Sequence, residues 1–212
     1  MYLFSRSARL GVGNTEASMA WAVTVTEKVN QISELEVNLW SSVFSPGLGT
    51  LAWTASVENL AQLEASESKL MVDSSYISLV DEGAKYSSGQ AVDDSLINLI
   101  HADADGATIN ATYVNVVSSA LAPGATVSGI ELGVEIAQRA KATTGCPTSF
   151  GAHVTGQYGA VSWFTLFESI EQLQAANEAI GADLEFAKLI DAKAAGAYDS
   201  SVTTQLAYRK IM

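Results

Sequence analysis

The order of apolar and polar positions changes character several times along the chain, and each change marks an element. Tyr2 to Leu10 mixes aromatic residues with small polar ones and predicts a strand. From Thr15 to Ile32 the apolar residues Met19, Ala22, Val25, Val29 and Ile32 recur at spacings of three and four, the mark of a helix with one buried side. Two strands follow, Leu35 to Ser45 and Thr50 to Val57, around the turn Pro46-Gly47-Leu48-Gly49. A helical region opens at Glu58-Asn59, breaks at Val72-Asp73-Ser74 and resumes through Leu79 and Val80. Ser95 to His101 predicts a closing strand.

The same series then repeats. Thr112 to Ala120 predicts a strand, and Val127 to Ala142 a helix with Val127, Ile130, Val134 and Ala137 on one side. Thr148 to Thr155 and Ala160 to Phe167 form the next two strands, around Gly156-Gln157-Tyr158-Gly159. In the second of these, Val161, Trp163, Thr165 and Phe167 point one way, and Ser162 and Phe164 the other. A helical region opens at Glu168-Ser169 and breaks at Gly181-Ala182-Asp183, and Val202 to Lys210 closes the series. At one constant offset Gly49 falls on Gly159, Trp53 on Trp163, Glu58 on Glu168, Gln62 on Gln172, Leu79 on Leu189 and Asp81 on Asp191. Residues 1–103 and 109–212 are therefore read as two repeats, with 104–108 as their linker.

Strand–helix–strand–strand–helix–strand is the ferredoxin-like order, whose helices cover one face of a sheet and leave the other bare. Two fused units can bury their open faces against each other. The expected fold class is α+β: two ferredoxin-like βαββαβ repeats fused into one pseudo-dimeric α/β barrel around a cavity. Trp163 to Phe167 running into Glu168-Ser169-Ile170-Glu171-Gln172-Leu173, then Ala175-Ala176-Asn177 and Phe186-Ala187-Lys188-Leu189, carry a resemblance, mirrored by Trp53 to Leu63 and Tyr76 to Leu79. The chain resembles the dimeric α/β-barrel superfamily, with its NIPSNAP-like and antibiotic-biosynthesis-monooxygenase-like members. That resemblance implies a fold. Across the superfamily it admits cofactor-free monooxygenases, isomerases and cyclases, haem enzymes and proteins without a known reaction.

Charge narrows the classes of partner. Net charge is -12, with no basic patch or arginine-rich run to offset it, which opposes nucleic acid and anionic lipid. The 48% of hydrophobic residues indicate an ordered chain. No stretch predicts a membrane span or a signal peptide, so the expected location is the cytoplasm. Cys146 is the single cysteine, which excludes an intrachain disulfide.

Candidate chemistry follows from the expected strand faces. Pairing Ser5 with Asn115 and Ser7 with Val117 puts Ser5, Ser7, Tyr113 and Asn115 on one mixed face, expected to line the cavity. His101 and His153 are the two histidines, and both break the internal symmetry, His153 falling on Val43. A cavity histidine suits a general base, or a haem or metal ligand. Neither an H-x-H nor an H-E-x-x-H spacing is present, so no metal is expected. Trp53 and Trp163 are core residues or stacking surfaces for a flat ligand. Arg6 and Arg9 are solvated or ion-paired arginines, or anion partners. Gly11-Val12-Gly13 lacks the third glycine and the lysine of a phosphate loop.

Two readings of function stand. One is a small-molecule-binding or assembly protein, able to oligomerise through its sheet edges. The other is a cofactor-independent monooxygenase- or isomerase-like enzyme for a hydrophobic aromatic or polyketide-like substrate. In the second, His153, Tyr113 and Asn115 are the catalytic candidates, and Trp53, Trp163, His101, Ser5, Ser7 and Arg9 the ligand-binding ones. Neither reading requires a cofactor; haem held by a histidine is a third alternative.

Overall fold

The computed structural model describes residues 1–103 and 111–212, and the expected linker, 104–108, lies outside them. The elements run β1 (Tyr2–Arg9), α1 (Thr15–Ser33), β2 (Asn38–Val43), β3 (Thr50–Val57), α2 (Leu60–Val72), α3 (Ser74–Gly83) and β4 (Asp93–His101). The same order returns as β5 (Tyr113–Ala120), α4 (Thr126–Thr144), β6 (Thr148–His153), β7 (Ala160–Phe167), α5 (Ile170–Ala182), α6 (Leu184–Ala197) and β8 (Thr204–Lys210).

Local chemistry sets the helix boundaries. The Asn59 side chain accepts the amide of Gln62 at 2.9 Å, and the Gln62 side chain accepts the amide of Glu58 at 2.8 Å. Ser169, Gln172 and Glu168 repeat this arrangement at α5, with distances of 3.2 and 2.7 Å. Asn59 and Ser169 thus satisfy an amide that a helix start leaves free, while the repeated glutamines reach back to the amide just before each cap. Asp73 and Asp183 begin α3 and α6 by accepting the amides of Tyr76 and Phe186. These aspartates are why each second helical region breaks where it does.

Packing divides the described chain into two units, Met1–Leu96 with Arg209–Met212, and Ile97–Tyr208. In the first unit β3 lies between β1 and β2, antiparallel to both. One face of this sheet meets the helices, and Ala22, Leu39, Leu51, Trp53 and Ala55 form the core there. Val25 of α1 joins Leu70 of α2 and Tyr76 of α3 in a second cluster. In the second unit the strand order is β8-β5-β7-β6-β4. β5 and β6 pair antiparallel with β7, and β4 pairs antiparallel with β6. Leu132, Phe150, Val161, Trp163 and Tyr198 make its core. Complete burial of one such large side chain contributes roughly 1.5–3 kcal/mol. Each unit is α+β. Among the described residues no helix is long and apolar enough to cross a membrane.

Gly133 brings α4 close to this core. A Cβ at that position would lie 2.2 Å from the Phe150 ring. The close approach lets the Gly133 carbonyl accept the indole N–H of Trp163 at 2.8 Å. Trp163 is thereby fixed between Phe150 and Tyr198, at ring separations of 5.0 and 5.2 Å.

Candidate functional site

The second unit contains a cavity of about 650 Å³ between its sheet and its three helices. β5 contributes Asn115, Val117 and Ser119, and β7 contributes Trp163, Thr165 and Phe167. The register explains this grouping, because Asn115 sits opposite Thr165 and Val117 opposite Trp163. Directly paired residues share a face of an antiparallel sheet. From the helices come Ile136, Ala140 and Thr144 of α4, Ala176, Asn177 and Ile180 of α5, and Phe186, Ile190 and Asp191 of α6. Trp163, Phe167, Ala176 and Tyr198 are buried and form the floor. Asn177, Asp191, Thr203 and Gln205 are exposed and form the rim.

Most polar groups of the wall already have partners. The Tyr198 hydroxyl donates to the Gly129 carbonyl at 2.5 Å, and burial pushes its phenol pKa upward, so it stays a neutral donor. The Ser119 and Thr203 hydroxyls meet at 2.8 Å, and those of Thr148 and Thr165 at 3.2 Å. The Asn115 side chain is different. It is half-buried against the cavity, and no hydrogen bond engages its amide among the described residues. A carboxamide left so has two N–H donors and one oxygen acceptor to offer a ligand.

The other face of the same sheet carries a separate polar chain. His153 Nε2 lies 2.8 Å from Ser162 Oγ, which lies 2.8 Å from Ser118 Oγ. Burial lowers the His153 pKa, so the imidazole is neutral at neutral pH. Ser162 is 1% exposed, which removes it as a nucleophile for an external substrate.

The sequence-derived candidates scatter over these features. Asn115 and Trp163 come together at the cavity. Tyr113 shares their sheet face but packs beside Cys146, Phe167 and Leu173. His153 lies on the opposite face, so His153, Tyr113 and Asn115 do not form one site. His101 pairs with Phe150 in the β4–β6 register and is half-buried. In the first unit, Trp53 is buried and donates its indole N–H to Thr26 Oγ1 at 2.9 Å. Ser5 and Ser7 pair with Thr54 and Ala52, on the face away from Trp53, and Arg9 is exposed at the end of β1.

The strand registers displace the expected alignment by one residue. Tyr2 pairs with Val57 as Tyr113 pairs with Phe167, so Phe4 corresponds to Asn115 and Arg6 to Val117. A one-residue slip moves every side chain to the other face, which is why Ser5 and Ser7 part from Asn115. The β2 and β6 registers likewise place His153 at the position of Ser42, not Val43. Sequence reasoning missed Thr165, Asn177, Asp191 and Gln205. Thr165 carried a usable signal, since it alternates with Trp163 and Phe167.

Among the described residues the cavity lining contains no histidine, cysteine, lysine or arginine, and the hydroxyl of its one tyrosine, Tyr198, is engaged by the Gly129 carbonyl. Among the described residues no group of three or more His, Cys, Asp or Glu side chains could hold a metal ion.

No protein-family model matches the chain, and no curated protein matches it in sequence. Solved structures do match in fold. An anthrone oxidase-like protein aligns over 100% of this chain and 91% of its own, at 10% identity and a TM-score of 0.71. A protein from Fusobacterium nucleatum, provisionally described as a monooxygenase, aligns over 100% and 92% at 8% identity and a TM-score of 0.70. A haem-binding protein from Thermus thermophilus aligns over 100% and 91% at 9% identity and a TM-score of 0.56. At such identities the likeness speaks for fold alone.

Proposed function

We propose that the second unit binds a small, largely apolar molecule in its helix-side cavity and orients it through the Asn115 carboxamide. The volume and the apolar walls suit a ring-containing ligand, and the few polar groups suit orientation. The unpartnered Asn115 amide carries this reading: a site that hydrogen-bonds its ligand keeps such a group free until the ligand arrives. The test is titration with N-phenyl-1-naphthylamine, a neutral probe that brightens in apolar surroundings. A saturable rise is expected in the native chain, and a much weaker one in Ala140→Leu, which fills the cavity. The absence of saturation, or an unaltered curve in Ala140→Leu, overturns it.

A proton-transferring, cofactor-independent enzyme of the monooxygenase or isomerase kind is the second reading. The neutral His153, held by Ser162, supports it as a proton acceptor. The sheet separates His153 from the cavity, so this reading needs its own substrate on the other face. A His153→Gln chain that turns over a substrate at the native rate removes it.

A further inference from the structure

We infer that the ligand of this cavity is a cation: an apolar, ring-sized body bearing a protonated amine. This rests on reading the cavity as a binding site and adds the charge of what it takes.

Among the described residues the lining contains no lysine, arginine or histidine. An anionic ligand would enter with nothing to neutralise it, inside a chain of net charge -12. A carboxylate does stand at the rim. Asp191 of α6 lines the cavity and takes part in no ion pair or side-chain hydrogen bond among the described residues. The lysines on its own helix are engaged elsewhere: Lys188 pairs with Glu185 at 2.7 Å, and Lys193 with Glu135 at 2.8 Å.

A neutral ligand closing over the rim would return at most a hydrogen bond from an uncharged donor for the water it strips from the Asp191 carboxylate. An ammonium group would replace that water with a charge-assisted hydrogen bond. Asn177 and Gln205 flank the rim with amide oxygens free to accept the remaining ammonium hydrogens. The apolar body would then lie on Trp163 and Phe186 within the cavity.

Three probes of one shape separate the alternatives: 2-naphthylmethylamine, 2-naphthylmethanol and 2-naphthoate, titrated by calorimetry at pH 7 and low salt. The amine should bind about tenfold more tightly than the alcohol, and the carboxylate most weakly. In Asp191→Asn the advantage of the amine over the alcohol should shrink to about twofold. If the alcohol or the carboxylate matches the amine, or if the amine keeps its advantage in Asp191→Asn, the cation assignment is overturned while the cavity remains a binding site. Saturable binding by none of the three overturns the cavity reading and the cation assignment together.

Discussion

The two units place the same elements in the same order, yet different side chains stand between sheet and helices in each, and the second holds a cavity of about 650 Å³ there. In the first unit Trp21 of α1 crosses that space, packing edge-on against Trp53 at 6.2 Å and donating its indole N–H to the Leu79 carbonyl of α3 at 2.8 Å. The corresponding residue of α4 is Leu132. Val29 corresponds to Ala140, Phe4 to Asn115, and Arg6 to Val117. Arg6 is tied to Asp94 by two hydrogen bonds of 2.7 Å, with its guanidinium 5.6 Å from the Phe4 ring centre. A cavity in this fold is thus a matter of a few side-chain volumes at fixed backbone positions. The elements permit it, and the residues at those positions decide whether it exists.

The sharpest way to break the contrast is to remove Trp21 from that space in the first unit. Trp21→Ala should cost about 3 kcal/mol, the low end for removing a buried aromatic, because Trp21 is only half-buried. It should also create a second site for N-phenyl-1-naphthylamine. Denaturant unfolding reads the first effect and binding stoichiometry the second. A stoichiometry that stays at one means the gap has collapsed, and shape at these positions is then not what separates the units.

The close approach in the second unit should be nearly as sensitive. Gly133→Ala puts a methyl group into the fully buried Phe150 ring, where overpacking costs about 1–3 kcal/mol. Alanine regains up to about 1 kcal/mol of helix propensity, so a net loss of about 1–2 kcal/mol is expected. The first unit carries Ala22 at the same helical position, with Leu39 where the second has Phe150. A stabilised Gly133→Ala would show that the ring has room to move.

Much of this was legible in the sequence. Periodicity marked the elements, and the match of Gln62 with Gln172 fell on the two residues that pair with the caps of α2 and α5. The two breaks in the helical regions were marked by Asp73 and Asp183. Face assignment failed in the first strands, because Ser5 and Asn115 look interchangeable when aligned at the wrong residue. Only the pairing of β1 with β3 and of β5 with β7 fixes which residues share a face. Asp191 was seen as the match of Asp81 but not as a site residue, for another reason. It matches Asp81 on an equivalent helix, and what distinguishes it is the open volume beside it, produced by Ala140 and Val117 far away in sequence.

Acid should act unequally on the two units. Asp183 is held well below the usual carboxylate range by Arg139, then by the Thr143 hydroxyl and the Phe186 amide. Asp73 is lowered chiefly by the Ser75 hydroxyl and the Tyr76 amide, with Lys28 a smaller influence at 3.6 Å. Both groups are depressed in the folded chain. The stability they supply is therefore present above the unfolded carboxylate value of about 3.9 and is lost as pH falls below it. Asp183→Asn should flatten the loss of stability below about pH 4 more than Asp73→Asn does. Denaturant midpoints measured against pH check this, and equal flattening would contradict it.

The smallest expected change in stability tests the comparison most directly. Ala140→Val copies into α4 the residue that α1 carries as Val29. The two added methyl groups enter open volume, so neither strain nor a new cavity arises, and unfolding should shift by less than about 0.5 kcal/mol. Binding should respond far more, because those carbons take space that a ligand ring would occupy: affinity for N-phenyl-1-naphthylamine should fall several-fold. A loss of affinity at constant stability locates the ligand between α4 and β7. A loss of stability without any change in affinity would place the probe elsewhere and make the hollow a packing defect.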